Sequence, residues 1–149
     1  MILSEKYTNI DRVLEGLIYQ VNDSINFCRS EFPKFSTPEK MFNFLRLITT
    51  YHKDPEDIEL IQSVPTLLDN NYWGISGAGD CDCFTVLTLA ACFANGWENN
   101  QIVLKGRSKK NPVHIYSSTV INGEIYNLDL TNAYINIERE YPLTQILNL

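Results

Sequence analysis

The chain has 149 residues, of which 44% are hydrophobic and 20% are charged. This length is typical of one domain, and this composition is typical of a globular chain rather than a disordered one. The formal net charge is −6, and the one basic cluster, residues 105–110, is interpreted as a solvated strand end. We therefore predict a single domain over residues 1–149 that binds no nucleic acid.

No apolar run approaches the roughly 18 residues that a membrane-spanning helix needs. The first six residues lack the basic and apolar regions of a secretory signal. We therefore expect a cytoplasmic protein that binds no membrane, with a virion as the alternative if the chain is phage-encoded. In a reducing compartment its four cysteines would be free thiols.

The first part of the chain has the pattern of helices. Apolar residues recur at three- and four-residue steps over residues 9–29, which predicts an amphipathic helix. A second helix is predicted from Thr37-Pro38 to about His52, because a hydroxyl residue before a proline is a typical helix start. The dipole of that helix would favour a cation at its end, so His52 is interpreted as a structural residue.

The same start signal returns at Asp54-Pro55. It predicts a short acidic helix over residues 56–63, which Pro65 would break. We interpret residues 1–57 as a helical N-terminal part that completes the core. The Asn- and Gly-rich residues 69–80 predict a loop.

The pattern then changes from a helix to strands. Residues 81–95 are apolar nearly all round, which predicts a buried helix that ends at Gly96. Residues 134–149 have no clear pattern. Between the helix that ends at Gly96 and this last segment, apolar residues alternate with polar ones. This period of two predicts strands at residues 102–104, 113–121 and 124–130. Helices followed by antiparallel strands indicate the α+β fold class.

The predicted hairpin at residues 122–123 places two chemically active side chains together. Asn-Gly is a strong hairpin signal, because both central residues of a type I′ turn need positive φ. The resulting register pairs Tyr116 with Asp129. His114 and Asp129 then share one polar face as diagonal neighbours. The backbones of such a pair lie roughly 7–8 Å apart, so the two side chains can reach each other and form a hydrogen bond. A histidine paired only for stability is the alternative.

Cys81 follows a glycine-rich loop and begins the predicted buried helix. The positive end of a helix dipole favours the thiolate and lowers the thiol pKa. A packing cysteine at a helix start is the alternative, and Cys28 and Cys92, on apolar helix faces, are interpreted as packing residues. With His114 and Asp129, Cys81 would complete a Cys–His–Asp combination for nucleophilic catalysis.

Three sequence blocks resemble the transglutaminase-like cysteine-protease superfamily, in particular its small bacterial and phage-like domains. The resemblance covers about residues 58–132, and a fourth stretch, residues 61–65, looks like the same group. It implies a papain-like α+β core, in which a helix with the cysteine packs on an antiparallel sheet with the histidine and the aspartate. The blocks are Gly79-Asp80-Cys81-Asp82, Pro112-Val113-His114-Ile115-Tyr116 and Tyr126-Asn127-Leu128-Asp129-Leu130-Thr131.

The resemblance also implies a role for individual residues. Cys81 would be the nucleophile, His114 the general base and acid, and Asp129 the residue that orients the imidazole. The family typically holds the oxyanion with the backbone N–H of the cysteine and an upstream side chain, for which Gln62 and Trp73 are the two candidates. No cofactor is implied, and no calcium loop of EF-hand spacing is present.

Cys83 stands where many relatives have an acidic residue. We interpret it as a packing thiol, with a redox partner or a metal ligand as the alternatives. A zinc site built from Cys81, Cys83 and His114 would have an unusual Cys-x-Cys spacing and no second pair of ligands. No metal site is therefore predicted.

A site of this kind would transfer an acyl group from a carboxamide through a thioester. With water as acceptor the protein is a cysteine peptidase or amidase, which is the first prediction, and its partner is a protein or peptide substrate. With an amine as acceptor it is a transglutaminase-type acyltransferase. The third hypothesis is a non-catalytic structural or binding module on the same fold, with a virion or self-assembly partner.

Overall fold

The computed structural model describes residues 2–6, 10–69, 72–108 and 111–149, with residues 3–6 and 111 described by their backbone alone. The helices precede the main antiparallel sheet along the chain, which confirms the α+β class. None of the described helices combines the length and the apolar character needed to cross a membrane. The helices are α1 (Ile10–Glu31), α2 (Pro38–Leu47), α3 (Val64–Leu68) and α4 (Cys81–Ala94). The strands are β1 (Ile2–Lys6), β2 (Thr50–Tyr51), β3 (Ile58–Gln62), β4 (Ala78–Gly79), β5 (Asn100–Ser108), β6 (Asn111–Ile121), β7 (Glu124–Leu128) and β8 (Leu143–Asn148).

Helix α4 lies at the centre of the core. Every residue from Asp82 to Cys92 is buried, as predicted from a sequence that is apolar nearly all round. Helix α4 packs against helix α1 and against strand β6 of the main sheet. The hydroxyl groups of Thr88 and Ser117 lie 2.6 Å apart across the contact between α4 and the sheet. This packing holds the start of α4, and Cys81 with it, against the sheet.

The main sheet has the strand order β7-β6-β5-β8, and each pair of neighbours is antiparallel. The hairpin of β6 and β7 has the predicted register, in which Ser117 pairs with Leu128. Both residues of the turn at 122–123 have positive φ, as the type I′ prediction requires. The register that was expected to bring His114 and Asp129 together is therefore confirmed.

The predicted helix over residues 56–63 is wrong. Strand β3 occupies this region and pairs antiparallel with β1. Asp54 does not begin a helix: its Oδ2 accepts a hydrogen bond from the Leu60 backbone N–H at 2.7 Å. A helix, α3, begins only after Ser63, which caps it, and Pro65 lies in its first turn instead of ending a helix. Pairing with a distant strand decides the conformation here, and local periodicity does not contain that information.

Helix α2 ends at Leu47 and not at His52 as predicted. The chain leaves the helix and forms β2, which pairs in parallel with β4. Strand β4 lies within residues 69–80, which were predicted to be a loop. His52 therefore lies beyond the helix end, and its ring packs on that of Trp73 with centroids 5.3 Å apart. Residues 70 and 71 of the predicted loop lie outside the described part of the chain.

Strand β8 lies in the region that had no clear pattern and covers the outer edge of β5. Its cover explains why Lys105 is buried, although a solvated basic cluster was predicted there. The Lys105 Nζ donates to the Thr144 hydroxyl at 2.8 Å and lies 3.6 Å from the Glu138 carboxylate. The predicted solvated end is therefore wrong for Lys105, while Lys109 and Lys110 lie outside the described residues.

Gly77 and Gly123 have nearly equal positive φ angles, 79° and 80°, in very different surroundings. A Cβ at Gly77 would lie 1.9 Å from the Ile48 carbonyl oxygen, whereas a Cβ at Gly123 meets no described atom within 4 Å. An L side chain in this φ region costs about 1–2 kcal/mol. We expect Gly123→Ala to lower the free energy of unfolding by about that amount.

Gly77→Ala should lower the free energy of unfolding clearly more, because the backbone contact with Ile48 must also give way. Urea denaturation of the two variants measures the difference, with the φ penalty common to both. Equal losses would contradict the close packing of Gly77 on Ile48. That packing fixes the loop that leads through β4 into the start of α4.

Candidate active site

Cys81 is the first residue of α4, and Asp80 is its N-cap. The Asp80 backbone is extended, and its Oδ1 accepts a hydrogen bond from the Asp82 N–H at 3.2 Å. The N–H groups of a first helical turn have no acceptor within the helix, so the Cys81 N–H is free of intrahelical bonding. The Cys81 side chain is half-buried, and the thiol lies at the edge of the core.

Cys83, two residues later, is fully buried in the core. Its thiol donates to the Leu60 carbonyl oxygen at 3.1 Å, as a packing thiol would. Gly79 passes so closely that a Cβ there would lie 2.8 Å from the Cys83 Cβ. Cys81, Cys83 and His114, all described residues, do not gather at metal-ligating distances in this structure. Cys28 and Cys92 are also buried, as predicted.

His114 and Asp129 form a hydrogen-bonded pair of 2.6 Å between Nε2 and Oδ2, and both side chains are buried. Asp129 Oδ1 accepts from the Thr131 backbone N–H at 3.1 Å and from the Thr131 hydroxyl at 2.6 Å. The Asn132 amide donates to Oδ2 at 3.2 Å. The carboxylate therefore holds the ring of His114 by Nε2, and Nδ1 is the ring nitrogen that does not bond to it.

The environment of Asp129 favours its ionised form. Burial by itself would raise the pKa of this carboxyl, but the hydrogen bonds from His114 and Thr131 outweigh it and lower the pKa below its usual value. A carboxylate that stays charged beside an imidazole fixes the orientation of the ring and stabilises its protonated form.

Cys81 and His114 line two neighbouring cavities together. The smaller, about 60 Å³, is mostly apolar but includes Glu59 and Asp82. The structure thus places the predicted thiol and imidazole at the shared edge of two cavities, and the predicted carboxylate is hydrogen-bonded to the imidazole. The larger cavity, about 450 Å³, is lined by Tyr51, Cys81, Val113, His114, Thr131, Arg139 and Tyr141.

The pKa of the Cys81 thiol is raised well above its ordinary value, which contradicts the expected lowering by the helix dipole. Burial is the largest cause, followed by the negative charges of Asp82 and Asp80. The Ile115 backbone N–H lowers the pKa, but by less. A dipole effect of about 0.3–1 kcal/mol cannot offset desolvation of a thiolate beside two carboxyl groups. The thiol is the resting form, so a base must remove its proton.

Four carboxyl groups cluster beside Cys81, and sequence reasoning did not find this cluster. One oxygen from each of Asp54, Glu59, Asp80 and Asp82 lies within 4.8 Å of the others. Burial, with the charges of Asp54 and Glu59, raises the pKa of Asp80 to about 8. Burial also raises the pKa of Asp54 to about 6 and that of Asp82 well above its usual value. The cluster therefore retains protons near neutral pH.

This cluster makes stability depend on pH in a defined direction. A carboxyl whose pKa is raised in the folded state stabilises the fold below its unfolded pKa, and that contribution is lost as the pH rises. For Asp80 the window runs from about pH 4 to about pH 8. Within it the free energy of unfolding falls as the pH rises, because the folded state keeps a proton that the unfolded state has lost.

Asp82→Asn removes one of these groups while keeping its shape and a hydrogen-bond donor. As the pH rises from about 5 to about 8, we expect the free energy of unfolding to fall less in this variant than in the natural protein. Urea denaturation at several pH values measures this, with the exposed Glu15→Gln as the control variant. Parallel pH profiles for the natural protein and Asp82→Asn would show that Asp82 is ionised in the folded state.

The two oxyanion candidates do not line the cavities that contain Cys81. The Gln62 side chain is buried, its Nε2 donates to the Ala78 carbonyl oxygen at 3.0 Å, and its Oε1 accepts from the Tyr72 N–H at 3.3 Å. The Trp73 Nε1 is buried without a hydrogen-bond partner among the described residues. An oxyanion role for either side chain stays a prediction.

No protein-family model and no curated protein sequence matches the chain. Among solved structures, the chain is similar to the crystal structure of a "Putative Cysteine Protease from Cytophaga hutchinsonii", with a TM-score of 0.47 and 15% sequence identity. The similarity covers 83% of this chain and 43% of that one, so this chain spans less than half the length of that protein. A likeness at this level leaves the function to be inferred from the site itself.

Proposed function

We propose that this protein is a thiol-dependent acyl-transfer hydrolase, a cysteine peptidase or amidase related to the transglutaminase-like superfamily. One observation carries the proposal. The hydrogen bond of 2.6 Å between His114 and Asp129 orients an imidazole at the cavities that the Cys81 thiol also lines. A nucleophile, a base and a group that orients the base are the parts that thiol catalysis requires.

The first half of the reaction would form a thioester. His114 takes the S–H proton of Cys81 on Nδ1, and the sulfur attacks the carbonyl carbon of a peptide or amide. The C–N bond then breaks, the imidazolium returns the proton to the departing amine, and the acyl group stays on Sγ. Asp129 stabilises the imidazolium during these steps.

The second half would release the acyl group to water. His114 takes a proton from the water molecule as its oxygen attacks the thioester carbon. The C–S bond breaks, the proton passes to the sulfur, and the products are a carboxylic acid and the restored thiol. The backbone N–H of Cys81, in the first turn of α4, is a suitable donor for the oxyanion in both halves.

The raised pKa of Cys81 supports this order of events. A preformed thiolate would be disfavoured by burial and by the carboxyl groups of Asp82 and Asp80. Proton transfer to His114 in the same step as the attack avoids a free thiolate. The proposed mechanism is therefore general-base catalysis rather than reaction of a stable ion pair.

The test is acyl transfer by the natural protein, Cys81→Ala and Cys83→Ala, with a mixture of peptides and a small primary amine. Mass spectrometry reads hydrolysis as cleaved peptides and amine transfer as amine-modified peptides. We expect cleavage that requires Cys81 and not Cys83. Amine-modified peptides without cleavage would assign a transglutaminase activity instead. No product from the natural protein would contradict the proposal and favour the non-catalytic module.

A further inference from the structure

Among the described residues that line the larger cavity at Cys81 and His114, one has a permanently cationic side chain, Arg139. The chain has 12 basic and 18 acidic residues, so a guanidinium at this place does not reflect a generally basic surface. The cavity volume of about 450 Å³ lies in the range of pockets that bind small ligands or side chains. A guanidinium in such a cavity is a donor for a carboxylate.

Arg139 is connected to the catalytic candidates by hydrogen bonds. Its Nη2 donates to the Thr131 hydroxyl oxygen at 3.3 Å. The same hydroxyl donates to Asp129 Oδ1 at 2.6 Å. Arg139 is exposed, and these two hydrogen bonds link its guanidinium to the His114–Asp129 pair, so a group bound to it would lie beside the candidate reacting groups.

Arg139 lies between two acidic residues, Glu138 and the exposed Glu140, and no described ion pair joins either of them to its guanidinium. Glu138 accepts a hydrogen bond from the Tyr116 hydroxyl at 2.6 Å and lies 3.6 Å from the Lys105 ammonium. Across the described ranges, no carboxylate forms an ion pair with Arg139. The guanidinium is therefore not paired directly with any described carboxylate, and Asp129 is linked to it only through the Thr131 hydroxyl.

The smaller cavity has carboxyl groups in place of the guanidinium. Glu59 and Asp82 line it, next to the same Cys81 and His114. A substrate carboxylate would be attracted by Arg139 in the larger cavity and would find no lysine or arginine among the described residues that line the smaller one. The difference between the two cavities would therefore orient a substrate across the thiol.

We propose that Arg139 is a specificity-determining residue that binds a carboxylate of the substrate next to the amide bond that is broken. This inference rests on the function proposed above. The carboxylate belongs either to an Asp or Glu side chain or to the C-terminus of a peptide, since both offer a guanidinium the same two oxygens. The hydrogen bond from the guanidinium to the Thr131 hydroxyl connects Arg139 to the His114–Asp129 pair.

The experiment compares cleavage sites in a peptide mixture made by digesting a whole proteome. The natural protein, Arg139→Gln, Arg139→Lys and Arg139→Glu are each incubated with the mixture, and mass spectrometry identifies the residues around every cleaved bond. Arg107→Gln is the control for loss of one exposed arginine outside both cavities. Circular dichroism establishes that each variant is folded.

We expect the natural protein to cleave bonds beside a carboxylate about tenfold faster than their amide counterparts, a factor that corresponds to about 1.4 kcal/mol. Arg139→Lys and Arg107→Gln should keep this preference, and Arg139→Gln should lose it. Arg139→Glu should prefer Lys or Arg at the same position, a gain that misfolding cannot produce. Removal of single C-terminal residues would identify the terminal carboxylate as the ligand, and internal cleavage would identify the acidic side chain.

Two other outcomes are distinct from each other. Cleavage by the natural protein without a preference for acidic residues, or with a preference that Arg139→Glu leaves unchanged, overturns the role of Arg139 and leaves the proposed function intact. No Cys81-dependent product from any peptide overturns the proposed function, and the role of Arg139 with it.

Discussion

Cys81→Ser is expected to lower kcat/KM for amide hydrolysis at least about 10³-fold, the scale of loss when the nucleophile of a catalytic unit is removed. A serine hydroxyl at this place has a much higher pKa than a thiol, so the same imidazole activates it poorly. The fold should be preserved, because the half-buried side chain changes by one atom. Steady-state kinetics with a cleaved peptide measures the loss.

Cys83→Ser is the matched control, since the two cysteines are two residues apart on one helix. The Cys83 thiol is fully buried and bonded to the Leu60 carbonyl, so its replacement should lower the free energy of unfolding by about 1 kcal/mol. Its kcat/KM should stay close to that of the natural protein. If Cys83→Ser lost activity and Cys81→Ser kept it, Cys83 would be the nucleophile and the assignment of Cys81 would be wrong.

Asp129→Asn is expected to lower kcat by about 10³- to 10⁴-fold. An asparagine amide in place of the carboxylate fixes the wrong tautomer of the His114 ring and cannot stabilise its protonated form. Removal of a different partner of the same carboxylate, in Asn132→Ala, takes away one hydrogen bond of 3.2 Å and should change kcat far less. Single-turnover kinetics separates this loss from any change in substrate binding.

The same substitution has a consequence for stability that depends on pH. A carboxyl with a lowered folded-state pKa stabilises the fold above its unfolded pKa and loses that contribution as the pH falls through the folded pKa. Asp129→Asn should therefore be less stable than the natural protein near neutral pH, and the difference should shrink below about pH 4.

For the kinetic prediction, a kcat of Asp129→Asn within tenfold of the natural value would show that the His114–Asp129 pair is only structural.

The central pair of the site could be predicted because it depends on local chemistry. The Asn122-Gly123 turn determines the hairpin register, and the alternation of side chains then places His114 beside Asp129. Helix α4 was equally accessible, since a run that is apolar all round must be buried. These features need no knowledge of distant residues.

Features that depend on distant residues could not be predicted in this way. Strand β3 pairs with β1, which lies more than 50 residues earlier in the chain. In the resulting structure, the Glu59 carboxyl lies beside those of Asp80 and Asp82. The raised pKa of Cys81 follows from that tertiary arrangement, whereas the sequence indicated only a helix start. Strand β8 and Arg139 come from a region without hydrophobic periodicity, so the cation at the cavity was also missed.

The most direct test of the proposed chemistry is mass spectrometry of the intact protein during turnover of an activated ester such as p-nitrophenyl acetate. The natural protein and Cys83→Ser should each gain one acyl group, and peptide mapping should place it on Cys81. His114→Ala should form this acyl-enzyme much more slowly, because no base takes the proton of a thiol whose pKa is raised. An acyl group on another residue, or an equal rate in His114→Ala, would contradict the proposal that Cys81 is a nucleophile activated by His114.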